Sequence, residues 1–320
     1  MLKKNFTTVI LLLLSSFLFA QDKKDTTIKV DNNYITLSEI VVNNKLDIAS
    51  FIERVKNDTT FYKAFRNLHI IGYTSLNDII MLDKKGNIQA LLTSKTKQIR
   101  ENNCRKMQVL NQATTGDMFD RKGNFNYYTA QMYAGLFFTK DSVCGEDNIV
   151  KGREFSTQGL SGIEKHKEQL KMLFFNPGKK IKGLPFISDK TEIFNESMAD
   201  KYDMNIDYRK YNNEDCYVFT LKVNDDKKND VVIDEMTTWF NEKTFEIVAR
   251  NYSISYDAGV YDFNVNMEVQ MTKVGDLLVP SVLRYNGNWK VLFKKREHGI
   301  FTATLFDFVR QSATNSTNLH

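Results

Sequence analysis

The amino-acid sequence predicts a mainly β (α+β) protein, built as a strongly curved antiparallel sheet, an incomplete β-barrel, covered by helices. Three observations lead there. Tyr261, Phe263, Val265, Met267, Val269 and Met271 alternate with Asp262, Asn264, Asn266, Glu268, Gln270 and Thr272. That period of two puts one set of side chains on each face of a strand. Turn signals separate many further extended stretches, so one apolar and one wet face recur along a meander. Helical spacing is concentrated in two islands, one before the strands and one inside the series. A sheet of about eight or more strands curls, and those islands are the obvious covers for its concave side.

The chain opens with Met1-Leu2-Lys3-Lys4, an apolar stretch from Phe6 to Phe19, and Ala20-Gln21. A basic start, an apolar run and a small residue before a polar one form a secretory signal. The run is shorter than the roughly 20 residues a membrane-spanning helix needs. Residues 1–20 are therefore expected to be cleaved near Ala20, leaving an exported protein in the periplasm or cell envelope. No cysteine stands near the cut, so acylation as a lipoprotein is not expected. Cleavage removes Lys3 and Lys4 and no acid, taking the net charge from +5 to +3. That is too mild to indicate nucleic acid. Lys179-Lys180-Ile181-Lys182 and Lys294-Lys295-Arg296 read as solvated surface, with peripheral contact to anionic headgroups as the weaker alternative.

Residues 21–44 read as a flexible leader, in which Ile35 to Val42 supplies one edge strand. A single domain spans 45–310: 23 Phe, 14 Tyr and 2 Trp can fill a core, and three Pro argue against a long internal linker. Leu46, Ile48, Phe51, Ile52 and Val55 recur at helical spacing. Asp58 or Thr59 can then cap a second helix presenting Phe61, Phe65 and Leu68.

Strands are expected at 79–82 and 88–99 around the turn 83–87, then at 105–113 and 125–139. A helical insert of about 160–198 follows, with Ile163, Leu170, Leu173 and Phe174 on one face and a stop at Asn176-Pro177-Gly178. Strands then resume around turns at 212–213, 241–244 and 275–276. Asn286-Gly287 is a type I′ hairpin signal. The closing strand covers 300–308, and a polar tail occupies 311–320.

At this level the chain resembles the LolA/LolB-like superfamily of outer-membrane lipoprotein-sorting proteins. Trp239-Phe240-Asn241-Glu242-Lys243-Thr244-Phe245-Glu246-Ile247-Val248 is similar to that family's strand, D-x-K-T turn and strand, with Asn241 in place of the acid. Gly275-Asp276-Leu277-Leu278-Val279-Pro280 is similar to its glycine, apolar, proline hairpin. The resemblance covers about fifty residues. It implies an incomplete barrel whose greasy hollow is closed by helices, and a lipoprotein or other acylated partner.

No catalytic chemistry is legible, and the expectation is a protein that is not an enzyme and uses no cofactor. His69, His166 and His298 lie far apart, and none forms the i, i+4 pair of a zinc helix. No metal site is expected. No GxSxG elbow, phosphate loop or dinucleotide fingerprint is present. Cys104, Cys144 and Cys216 allow one disulfide, for which Cys104 and Cys144 are the preferred pair; three free thiols are the other possibility.

Function is read as a carrier or binding protein for a hydrophobic ligand: an acyl chain, a lipid or a lipoprotein. The expected lining is Trp239, Tyr261, Phe263, Val265, Met267, Val269 and Trp289, faced by Leu170, Leu173 and Phe174. Met suits an adaptable greasy site. An ordinary packed core would show the same stripe. The alternative is a non-enzymatic envelope scaffold that binds another protein.

Overall fold

A computed structural model of the chain describes residues 25–150, 172–181, 189–257, 261–291 and 295–310. The signal, the polar tail and about half of the helical insert lie outside the described residues.

The sequence-predicted architecture is present as one open 13-stranded sheet. Its strands are β1 (Thr26–Val30), β2 (Asn33–Leu37), β3 (Gly72–Leu82), β4 (Ile88–Glu101), β5 (Cys104–Gly116), β6 (Ser142–Cys144) and β7 (Tyr202–Tyr211). They continue with β8 (Glu214–Val223), β9 (Ile233–Asn241), β10 (Ile247–Asp257), β11 (Tyr261–Val274), β12 (Leu277–Val291) and β13 (Glu297–Val309). Its helices include α1 (Glu39–Asn43), α2 (Ile48–Asn57), α3 (Thr60–Asn67) and α4 (Tyr128–Phe137).

Two meanders, β7 to β13 and β3 to β6, meet where the last strand pairs antiparallel with β3. The hairpin β1–β2 joins the other end through a parallel pairing of β2 with β7. The stretch expected as a flexible leader with one edge strand is thus two strands and a short helix. Strands β1 and β6 remain as edges, so the barrel is incomplete.

Local chemistry sets the turns. Asn212 and Asn213 both take positive φ between β7 and β8, the backbone of a type I′ turn that asparagine tolerates well. At the 241–244 turn, Asn241 Oδ1 accepts from the amides of Lys243 and Thr244, each at 3.0 Å. Asparagine there does the turn-closing work available to an acid. Asp47 caps α2 by accepting from Ser50 N at 3.1 Å.

Helices α2, α3 and α4 sit over the same face. Phe51 of α2 packs against Phe240 with centroids 5.3 Å apart, and Phe61 of α3 against Tyr252 at 6.4 Å. Tyr133 of α4 meets Tyr285 at 5.0 Å, and Phe137 stacks on Phe301 at 4.2 Å. Such pairs contribute beyond the area they bury.

Two expectations are corrected. Residues 125–139 do not form a strand; most of them form α4. Its N-terminus is secured by Glu297, whose carboxylate accepts from Tyr128 N at 3.1 Å and Thr129 N at 2.7 Å. A carboxylate at a helix start is favourable, but this one arrives from 168 residues away in the chain.

Asn286-Gly287 is not a turn either: it lies inside β12, with Gly287 paired across the sheet to Gly299. The two glycines form a seat for α4. A Cβ on Gly299 would come within 2.7 Å of Thr129 Cγ2 and 3.1 Å of Tyr133 Cε2. One on Gly287 would come within 2.9 Å of Trp289 Nε1. Glycine is needed here for close approach rather than for a bend.

Candidate functional site

Most of the stripe expected to line an open hollow is buried under the chain's own residues. Phe263, Val265, Met267, Val269 and Trp289 are each at most 2% exposed. The material that fills the hollow is the chain's own insert. Leu173 and Phe174 are fully buried, and the Phe174 ring stands edge-on to Tyr285 at 4.9 Å and to Trp289 at 5.7 Å. The Tyr252 hydroxyl donates to the carbonyl of Phe174 and fixes that plug.

Trp239 belongs to the other face. Its neighbours Thr238 and Phe240 point inward and are buried, while Trp239 packs on Tyr211 at 5.2 Å. Alternation along β9 requires this, because adjacent residues cannot share a face. The Tyr261 backbone pairs with Val291, and Leu170 lies outside the described residues.

Among the described residues, a cavity lies elsewhere, over the β3–β5 end of the sheet. It has a volume of about 490 Å³, within the range of small-molecule sites. Its floor comes from Tyr73, Ser75 and Asn77 of β3, Gln98 of β4 and Met107 of β5. Leu283, Ala303 and Leu305 of β12 and β13 form a side wall. The roof is Phe65 of α3, Leu136 and Phe137 of α4, Phe138 just beyond it, and Met172 and Phe175 of the insert. Charged groups gather at one end: Arg66, His69, Arg105 and Glu146.

The polar floor is internally bonded. Ser75 Oγ donates to Asn77 Oδ1 at 2.6 Å, and Asn77 Nδ2 donates to Thr96 Oγ1 at 3.1 Å. Gln98 Nε2 donates to the carbonyls of Leu68 and Ile71 at 2.6 and 2.8 Å. Bonded in this way, the floor costs little to keep away from water. What it offers a guest is mainly shape beneath an aromatic roof.

The charged end is a clamp. Arg105 grips Glu146 through Nε and through Nη2, the latter at 3.2 Å, and also reaches Gln98 Oε1 at 3.2 Å. His69 Nδ1 lies 3.0 Å from Glu146 Oε1. Next along the chain, Asp147 pairs with Arg66 at 3.3 Å, and Asn148 Nδ2 donates to Asn67 Oδ1 at 2.7 Å. Just upstream, Cys144 is disulfide-bonded to Cys104, its register partner across β5 and β6. The bridge and the ion pairs together hold segment 142–148 across the end of the cavity. Cys216 is free and buried, and burial pushes its thiol up to about 11.

Loss of solvent holds the His69 imidazole below its ordinary 6.5. Burial would raise Glu146, but hydrogen bonds from His69 and Arg105 outweigh it and hold the carboxyl well below the usual carboxylate range. Both depressed groups bind more protons when unfolded, so stability rises with pH through their windows. It is complete above about 6.5 for His69, declines below that, and falls further below 4.5 as Glu146 becomes protonated. The melting midpoint should therefore drop between pH 7 and pH 4, and His69→Gln should flatten the upper part of that drop. A variant with an unchanged profile would remove His69 from this account.

Among the described residues, no three His, Cys, Asp or Glu side chains converge to hold a metal. None of the described helices is long and apolar enough to cross a membrane.

No family model and no curated protein matches the chain. Two solved structures are similar at low superposition. One is a candidate outer membrane lipoprotein-sorting protein domain from Vibrio parahaemolyticus, with TM-score 0.26 and 9% identity over 78% of this chain and 91% of that one. The other is a DUF1329 family protein from Desulfovibrio piger, with TM-score 0.23 and 10% identity over 84% of this chain and 92% of that one. The first carries a lipoprotein-sorting description, and at these TM-scores neither likeness bears on family. Neither superposition transfers a site, so function rests on the chemistry of the cavity itself.

Proposed function

We propose that this chain is an exported, non-enzymatic binding or carrier protein of the cell envelope that holds an acyl-chain ligand in the cavity beneath α3 and α4. The observation that carries the reading is a cavity of about 490 Å³ roofed by Phe65, Leu136, Phe137, Phe138 and Phe175. Each methylene moved out of water contributes about 0.8 kcal/mol, so ten would supply about 8 kcal/mol before the costs of association. The lipoprotein-sorting resemblance points to the same ligand class. The signal-like residues 1–20 and the Cys104–Cys144 bridge fit an oxidising compartment outside the cytoplasm.

Ala303 provides the test. It sits on β13 in the cavity wall and is 3% exposed. Ala303→Trp should fill the space and weaken an acyl-chain fluorescent probe by about tenfold or more, equivalent to at least about 1.4 kcal/mol. Wild-type circular dichroism would show that the variant is folded. If such a folded variant binds the probe as tightly as wild type, the cavity is not the ligand site.

A further inference from the structure

Resting on that reading, we propose that the ligand is a single-chain carboxylate, its tail under the aromatic roof and its carboxylate at Arg66. Two observations carry this, one of size and one of charge.

An engineered cavity of about 150 Å³ accommodates benzene, six carbons. At the same density a volume of 490 Å³ admits roughly twenty heavy atoms. One acyl chain fits, and a lipid with two or three chains does not.

The charge argument starts from which donors are already used. Gln98, Asn77 and Ser75 are engaged with one another or with backbone carbonyls, and Arg105 is committed to Glu146. Arg66 is different. Its Nη2 serves Asp147, donating to the carbonyl at 2.7 Å and lying 3.3 Å from the carboxylate. Its Nε is buried and meets no acceptor, although Arg66 is part of the cavity lining.

A buried guanidinium N–H without a partner is costly, and a carboxylate oxygen is the partner it matches best. The surroundings favour an anion as well. Arg66, Arg100 and Arg105 face Glu146 and Asp147, with His69 kept neutral by burial, so one positive charge remains. A neutral guest would leave both the donor and the charge unanswered.

Competition of decanoate, decanol and a diacyl phosphatidylglycerol against an acyl fluorescent probe tests the inference. Wild type should prefer decanoate over decanol by about tenfold and should bind the diacyl lipid more weakly than decanoate. Arg66→Met should abolish the preference, bringing the ratio of decanoate to decanol affinity to about one. Arg66→Lys should restore part of it. Equal affinities of wild type for decanoate and decanol would overturn the carboxylate assignment and leave the proposed function standing. Parallel loss of both ligands in Arg66→Met would show a structural role for Arg66 and also overturn it. Tighter binding of the diacyl lipid would overturn the single-chain limit. Failure of wild type to bind any of the three would instead sink the proposed function.

Discussion

Replacing Cys104 and Cys144 by serine is expected to lower the unfolding free energy by about 4 kcal/mol, since the bridge closes a loop of 40 residues. The effect should be large because β6 has only three residues and pairs with β5 at three positions. Without the covalent link, that short ladder and a few ion pairs hold segment 142–148, and partly exposed pairs contribute modestly. The chain between the two cysteines includes all of α4, so the unfolded ensemble gains freedom for the roof helix as well as for the edge strand. Urea titrations of wild type and the double serine variant would measure the difference. Hydrogen exchange should rise first at residues 142–148. A midpoint within experimental error of wild type would mean that the ion pairs alone hold the segment.

Phe174→Ala is the second large effect, with an expected loss of about 3–5 kcal/mol for truncating a fully buried aromatic side chain. The ring fills the hollow over β11 and β12 that the apolar stripe would otherwise leave open, against Tyr285 and Trp289. Removing it creates a dry space lined by aromatic and aliphatic side chains, which small apolar molecules can enter. Benzene should therefore raise the melting midpoint of the variant and leave wild type unchanged. A loss below about 1 kcal/mol would mean that the insert relaxes into the gap, and Phe174 would not be a plug.

The disulfide and Phe174 mark where the chain could be read directly and where it could not. Cys104 and Cys144 were the preferred pair, and the structure joins them across adjacent strands, although the expected strand ahead of Cys144 is α4. The six-residue alternation of β11 was legible because its period needs no partner to be seen, and Phe263, Val265, Met267 and Val269 are buried as it requires. Whether that inner face was open or filled was not legible. A core and a binding surface have the same composition until the covering segment is placed.

The cavity was missed for a related reason. Its roof includes α4, whose sequence read as extended because its helical start depends on Glu297 from the far end of the chain. One signal was available. Residues 89–97 carry polar groups on both faces, and the inward ones, Ser94 and Thr96, stand buried beside the cavity floor.

By itself, the sequence determined the alternation of β11 and the asparagine turns at 212–213 and 241–244, since such patterns act over a few residues. It also carried the preferred cysteine pair. Tertiary structure decided which apolar face is filled, that Gly287 seats a helix instead of bending a hairpin, and where a cavity remains. Those outcomes depend on excluded volume and on charges meeting across more than a hundred residues. No local pattern along the chain encodes such distances.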